Sequence, residues 1–156
     1  MIGFRVAERD DCALILDFIK QLAKYEKLES SVVATESVLE DWLFDKLSAE
    51  VMIALYDGKE VGFALYFTNF STFLGKAGLY LEDLFVLPEY RGKGIGSAIL
   101  KALARMAVEC GFGRLEFSCL DWNKDSIDFY KSLGAQPMSE WTTFRFAGKA
   151  LENLAI

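Results

Sequence analysis

The chain has 156 residues, of which 53% are hydrophobic, 26% are charged and only 2 are prolines. This length and composition are typical of one globular domain spanning residues 1–156, and they exclude an intrinsically disordered chain. The formal net charge of −6 repels phosphates and anionic lipid, so we expect a small cationic partner and neither nucleic acid nor a membrane.

The amino-terminal part predicts a strand followed by two helices. The strand runs from Gly3 to Val6, and Asp10 or Asp11 can cap a helix whose apolar residues recur at helical spacing to about Glu26. After a polar stretch, Thr35 is suited to cap a second amphipathic helix, which we expect to pack on a sheet.

The middle of the chain predicts antiparallel strands. Strands at 51–56 and 61–70 flank Asp57-Gly58, a pair that readily adopts the positive φ angles of a tight hairpin turn. A loop is predicted over 69–76, followed by a further strand from about 79 to 86.

The last part predicts helices alternating with strands. We expect a helix over 94–110, a strand over 114–120, a helix over 124–133 and a final strand over 141–146, with a short tail after Gly148. The order β α α β β β α β α β predicts an α/β (α+β) fold. Its central sheet is mixed and mostly antiparallel, with helices on both faces.

A basic, glycine-rich segment from Arg91 to Ser97 lies between a predicted strand and a predicted helix. Glycines let the backbone approach a ligand, and the first amides of a helix point outward toward an anion. Arg91 and Lys93 add positive charge. We therefore favour a pyrophosphate site over a flexible glycine-rich turn.

A dinucleotide-binding motif is the alternative for this segment, because Gly92, Gly94 and Ser97 nearly satisfy G-x-G-x-x-G and Asp121 ends the next strand. The third glycine is missing, however. The motif also lies past the middle of a chain too short for a dinucleotide domain plus a substrate domain, which counts against nicotinamide chemistry.

Two adjacent carboxylates, Glu82 and Asp83, interrupt an otherwise apolar strand. Strand alternation predicts that they point to opposite faces of the sheet. Desolvation raises the pKa of a carboxyl group and suits it to act as a base near neutral pH. The alternative, which the sequence of this strand alone favours, is a salt bridge at the rim of the sheet or a charge that prevents an edge strand from pairing with another chain.

The chain has no histidine, which excludes Ser-His-Asp and Cys-His catalysis and the commonest transition-metal ligand. Its three cysteines, Cys12, Cys110 and Cys119, are widely spaced and predict reduced thiols, so we expect no metal. With no long apolar run, no signal-peptide pattern and Ile2 at the second position, we expect a cytoplasmic protein.

The segment from Asp121 to Tyr130 passes from a strand end into a helix, with Asn123 as its cap. On its own, Tyr130 is more simply a packing residue, and so is Trp122.

Together these segments resemble the GNAT acetyltransferase superfamily, whose signature (Arg or Gln, two residues, Gly, one residue, Gly or Ala) is met by Arg91, Gly94 and Gly96. The resemblance extends over nearly the whole chain to the branch of spermidine/spermine and thialysine N-acetyltransferases. The segments that carry it, in the same order, are 22–26, 80–86, 88–100 and 121–135.

The resemblance implies transfer of an acetyl group from acetyl-CoA, the cosubstrate, to a small cationic amine by direct attack in a ternary complex. It implies that Leu84 and Val86 bind the pantetheine arm and that Gly92 to Ser97 hold the pyrophosphate. The full set of implied cofactor-binding residues is Leu84, Phe85, Val86, Arg91, Gly92, Lys93, Gly94, Ile95, Gly96, Ser97, Asn123, Lys124, Asp125, Ser126 and Tyr130.

The resemblance also implies that Tyr130 is the general acid and that Glu82 is the base, acting through water. Tyr25 and Glu26 match positions that contact the amine, and Glu82 and Asp83 join them as candidate substrate-binding residues. Relatives in this branch form homodimers, so we expect one here.

The chain departs from the polyamine pattern at 69–75, which lacks the acidic residue and the tryptophan of that loop. This departure argues against spermidine and spermine as substrates. Residues 120–123, in contrast, look closer to the thialysine N-acetyltransferases of this branch. Two other possibilities stay open at this point: a non-catalytic CoA-binding sensor, and an acetyltransferase acting on a protein or peptide amine.

Overall fold

A computed structural model describes residues 1–156, which divide into two compact units, 1–118 and 119–156. The first unit contains a five-stranded sheet in the order β1-β2-β3-β4-β5. Its strands are β1 (Ile2–Val6), β2 (Glu50–Tyr56), β3 (Lys59–Ser71), β4 (Lys76–Val86) and β5 (Leu115–Phe117). The first four pair antiparallel and β5 pairs parallel to β4, which confirms the predicted mixed, mostly antiparallel sheet.

Three helices accompany this sheet: α1 (Cys12–Tyr25), α2 (Glu36–Glu40), which continues into a π turn (Asp41–Asp45), and α3 (Ile95–Glu109). None of the helices is both long and apolar enough to cross a membrane. Thr35 caps α2 as predicted, because its hydroxyl accepts a hydrogen bond from the backbone N–H of Val38.

The predicted side-chain cap of α1 is wrong. Asp11 precedes the helix, but its carboxylate makes no capping bond. It instead accepts a hydrogen bond from the N–H of Glu8 and pairs with the Arg5 guanidinium at 2.7 Å. A charged partner on β1 therefore competes successfully with the local cap.

The core on one face of the sheet joins α1 to the central strands. The ring of Phe18 stacks on that of Phe63 at a centroid distance of 5.6 Å and meets Phe85 at 6.0 Å. On the opposite face, α3 buries Ile99 and Leu103 completely. Burying one such side chain stabilises the fold by about 1.5–3 kcal/mol.

The hairpins differ in part from the predicted ones. Asp57 and Gly58 both have positive φ, which confirms the predicted tight turn between β2 and β3. The turn between β3 and β4 spans only 72–75, because Phe70 and Ser71 still pair with β4 where a loop was predicted over 69–76. Strand β5 is shorter than the predicted 114–120.

The second unit contains α4 (Lys124–Ser132) and α5 (Gly148–Leu154). The predicted cap of α4 is confirmed, since the Asn123 side chain accepts a hydrogen bond from the N–H of Ser126 at 3.3 Å. The predicted final strand over 141–146 is wrong, because these residues pair with no other strand. An apolar pattern alone supplies no ladder partner. The tail predicted after Gly148 folds into α5.

Candidate active site

Strand β4 is irregular at Glu82. Leu65 of β3 pairs with Asp83, and the next residue, Tyr66, pairs with Leu81, so Glu82 is the extra residue of a β-bulge. Because the bulge interrupts the alternation of side chains, Glu82 and Asp83 line the same pocket. The prediction that they point to opposite faces is therefore wrong.

The pocket that receives these carboxylates, which we call the acceptor pocket, has a volume of about 360 Å³. One wall is apolar and comes mainly from α1 and the segment that follows it: Ile19, Leu22, Ala23, Leu28 and Val32. The polar lining consists of Ser31 and three carboxylates, Glu26, Glu82 and Asp83. The structure thus brings together three of the four predicted amine-contacting residues.

The acceptor pocket is electrostatically suited to a cation. Burial raises the pKa of Asp83 to about 6, and the neighbouring carboxylates of Glu82 and Glu26 add to this shift. Burial also raises the pKa of Glu26. No basic side chain lines the pocket, so an ammonium group would relieve the repulsion among these three acids.

The glycine-rich loop, residues 91–97, leads into α3 and has the geometry of an anion site. Gly92 and Gly94 have φ angles of +77° and +80°, and Gly94 is the N-cap of the helix. A Cβ added at Gly92, Gly94 or Gly96 would meet nothing within 4 Å, so the loop borders open space. The first helical backbone bond runs from the N–H of Ala98 to the Gly94 carbonyl at 3.0 Å. The amides ahead of it are the donors that a pyrophosphate would use, so the loop fits this group of coenzyme A.

Arg91 has a role that charge alone did not predict. Its Nε donates a hydrogen bond to the carbonyl of Val86 at 3.0 Å, and its guanidinium carbon lies 4.9 Å from the ring centroid of Tyr25. The same carbon is 5.5 Å from the ring centroid of Phe85. Arg91 therefore connects the end of α1 with the end of β4, and it places Tyr25 beside the glycine-rich loop.

The remaining predicted residues lie in the second unit, on α4. Lys124, Asp125 and Ser126 form the first turn of this helix, behind the Asn123 cap. Tyr130 lies in the last turns, 5.5 Å from the ring of Phe129. Gly134, with φ +97°, ends the helix, and the N–H of Ala135 donates to the Tyr130 carbonyl. This Schellman-type end fixes the backbone that carries Tyr130.

Comparison with known proteins gives one consistent answer. Residues 16–135 match the Acetyltransferase (GNAT) family. The thialysine N-epsilon-acetyltransferase of Bos taurus is 42% identical over 166 residues, which span 99% of this chain and 97% of that protein. The L-ornithine N5-acetyltransferase of Arabidopsis thaliana is 43% identical over 115 residues, which span 74% of this chain and 47% of that protein.

A solved structure is similar over its whole length. The V. cholerae integron cassette protein VCH_CASS6 superposes with a TM-score of 0.81 at 29% identity, covering 99% of this chain and 97% of that one. An aminoglycoside acetyltransferase from a soil metagenome, at 19% identity and a TM-score of 0.77, shares the fold. The chain therefore belongs to the GNAT family and is an acetyl-CoA-dependent N-acetyltransferase.

Proposed function

We propose that this enzyme acetylates the amino group of a small cationic amine of the thialysine, ornithine, lysine or diamine kind. The observation that carries this proposal is the acceptor pocket, in which three carboxylates face an apolar wall. An ammonium group on a short aliphatic chain matches that lining. The similarity to enzymes named for thialysine and ornithine supports the same class of acceptor.

The reaction must begin with a neutral amine. An alkyl ammonium with a pKa of about 10.4 is neutral in about one molecule in 2,500 at pH 7, which costs about 4.6 kcal/mol. In our proposal, Glu26 holds the cationic acceptor, including a remote ammonium group, and Glu82 removes the proton of the reacting ammonium through water. Bound acetyl-CoA supplies the activated thioester. The amine nitrogen attacks the carbonyl carbon as the C–S bond breaks, and the second proton on that nitrogen leaves to solvent. Tyr130 donates its phenolic proton to the departing sulfur.

The proposed cofactor contacts follow from the same arrangement. The amides of Gly92 to Ser97 hold the pyrophosphate, and the backbone groups of Leu84 and Val86 bind the pantetheine arm. Asn123 to Ser126 contribute from the start of α4. The open space in front of the three loop glycines supports the first of these assignments.

The test is release of free thiol from acetyl-CoA with a panel of amines and a no-amine control. The panel contains thialysine, ornithine, lysine, 1,5-diaminopentane, spermidine, spermine and a peptide. We expect turnover with the small amines and intersecting initial-velocity lines, as a ternary complex requires. Parallel lines would overturn direct attack. Silence together with CoA binding would favour a sensor, and turnover with the peptide alone would favour a protein acceptor.

The general acid has its own test. A Tyr130→Phe variant keeps the ring but loses the proton, so we expect kcat to fall by roughly 100-fold with little change in the KM for acetyl-CoA. Tyr90→Phe, which removes a hydroxyl outside the proposed machinery, is the matched control. An unchanged kcat in Tyr130→Phe would remove Tyr130 from the mechanism.

We further propose that the enzyme is a cytoplasmic homodimer. The three free thiols suit a reducing compartment. The segment between α4 and α5 exposes Trp141, Phe144 and Phe146, which belong to no strand, and such apolar surface favours self-association. Sedimentation of the full chain should show twice the monomer mass, and a monomer at micromolar concentration would contradict this proposal.

A further inference from the structure

We propose that Asp83 is a second proton-accepting residue of the acetyl transfer, which receives through Glu82 the proton that leaves the acceptor amine. This inference rests on the proposed function, because it assigns a further role within the same acceptor pocket. It goes beyond simple contact of Asp83 with the substrate: the proton that leaves the amine comes to rest on its carboxylate.

The β-bulge supplies the geometry. Asp83 pairs with Leu65 and lies two residues before Phe85 on a regular stretch of β4, so its side chain is on the α1 face of the sheet, with the Phe85 core. Glu82 is exposed, whereas Asp83 is half-buried behind it. The extra residue therefore converts two carboxylates that would point apart into an outer and an inner acid of one pocket.

The surroundings of Asp83 favour its protonated form. The charged groups that face it are Glu82 on its own strand and Glu26 at the end of α1, and Ser31 is the remaining polar lining residue. The guanidinium of Arg91 is held by the carbonyl of Val86 and the rings of Tyr25 and Phe85. Burial and the like charges of Glu82 and Glu26 therefore act on Asp83 in the same direction.

This environment makes Asp83 the better final acceptor. With its pKa raised to about 6, Asp83 lies closer to the pKa of an alkyl ammonium than an ordinary aspartate does. A smaller pKa gap makes proton transfer less unfavourable, while the group stays ionised at neutral pH and ready to accept.

The proton and electron balance is complete. The ammonium proton moves to Glu82 and on to Asp83, and the freed nitrogen lone pair forms the N–C bond. The C–S bond breaks, its electron pair goes to sulfur, and the Tyr130 proton completes the thiol. The second proton on the attacking nitrogen leaves to solvent water, Asp83 releases its proton to solvent, and Tyr130 is reprotonated from solvent. The products are the acetylated amine, free coenzyme A and one proton.

The test is the pH dependence of kcat/KM for the most active amine of the panel, between pH 5 and 9. For the wild type, we expect the plot of log kcat/KM against pH to change slope near pH 6, and we call this change of slope the break. In Asp83→Asn the break should move down by about one pH unit or more, and kcat/KM at pH 8 should fall at least roughly tenfold. Asp83→Glu should restore a break near neutrality. Glu82→Gln should move the break down by less, because Asp83 loses one like-charged neighbour.

Asp10→Asn is the matched control, since it removes an exposed aspartate outside the acceptor pocket, and its profile should follow the wild type. Carbon-13 NMR of aspartate side-chain carboxyls, in protein without acetyl-CoA, gives a readout besides turnover. One aspartate should titrate near pH 6, and its signal should be missing in Asp83→Asn.

If the wild type releases no thiol with any amine, the proposed function fails, whatever the NMR titration shows. If the wild type turns over normally but Asp83→Asn keeps both its break and its rate, or if no aspartate titrates near pH 6, the role of Asp83 is overturned and the acetyltransferase remains.

Discussion

The glycine-rich loop and the acceptor pocket, both in the first unit, are built in opposite ways. The loop works through backbone: glycines with positive φ, open space in front of them and amides at the start of α3. The acceptor pocket works through side chains that come from separate elements, α1 and β4, and it depends on a bulge in the strand ladder. A local backbone device can be recognised in a short motif, whereas a pocket assembled by packing cannot.

We expect the largest effect from a substitution that distorts the glycine-rich loop. Gly94→Val forces a β-branched residue into a left-handed conformation, at a strain of about 1–3 kcal/mol, so the KM for acetyl-CoA should rise at least roughly tenfold. Gly111→Val is the matched control, because Gly111 has φ +73°, borders open space and lies past the other end of α3. Steady-state kinetics decide this: an equal rise in both variants would mean that strain, and not the loop, is responsible.

The next largest effect is expected where β3 packs closely against β4, the strand that carries two carboxylates of the acceptor pocket. In Gly62→Ala the new Cβ would lie 2.3 Å from the backbone oxygen of Phe85, so β3 and β4 must move apart. We expect a loss of about 1–3 kcal/mol in the free energy of unfolding, measured by urea denaturation. Gly3→Ala, on β1, has its nearest neighbour at 4.0 Å and should cost far less. Equal losses would contradict the tight β3–β4 contact.

A smaller effect is expected for Asp83→Asn, which should increase the free energy of unfolding where Gly62→Ala decreases it. The pKa of Asp83 is raised in the folded protein, so its ionisation destabilises the fold as the pH rises through about 6. Asp83→Asn should therefore raise the free energy of unfolding by about 1–2 kcal/mol at pH 8, and most of this gain should be lost by pH 4.

Asp11 offers the contrasting control for this prediction, because the Arg5 guanidinium lowers its pKa. The stability from Asp11 is present above the unfolded-state pKa and is lost as the pH falls, so Asp11→Asn should be destabilising at pH 8. Thermal melts of both variants at the two pH values give the signs directly. Destabilisation by Asp83→Asn at pH 8 would refute the repulsion among the pocket carboxylates.

The smallest effect is expected for Arg91, which belongs to the glycine-rich loop and contacts α1 and β4, the elements that line the acceptor pocket. Arg91→Lys keeps the charge but loses the Nε bond to Val86 and the planar stacking on Tyr25. We expect less than about 1 kcal/mol in stability and a rise of roughly threefold in KM for both substrates. Arg105→Lys, on the exposed side of α3, should change neither constant. A change confined to the KM for acetyl-CoA would show that Arg91 supports only the glycine-rich loop.

What could be predicted from the sequence was mostly local. The caps at Thr35 and Asn123, the Asp57-Gly58 turn and the geometry of the glycine-rich loop each depend on a few neighbouring residues. The bulge at Glu82 could not be predicted, because it exists only where β4 meets β3 out of register. The failure of 141–146 to form a strand has the same origin, since strand formation needs a partner that a pattern does not name.

Arg91 illustrates the same limit on the site. Its sequence position indicated a positive charge near a phosphate, but its actual partners, Tyr25 and Val86, come from α1 and β4. A motif specifies the type of residue that is needed, and the fold then decides which neighbours it meets.

The most direct test of this account compares two acceptors that differ only in their remote group, 1,5-diaminopentane and 5-aminopentan-1-ol. Both present the same primary amine at the same chain length, and only the diamine carries a second positive charge. If the carboxylates of the acceptor pocket select cations, kcat/KM should be at least roughly tenfold higher for the diamine, and Glu26→Gln should shrink that ratio. Equal kcat/KM values for the two acceptors would contradict the cation pocket and with it the proposed class of substrate.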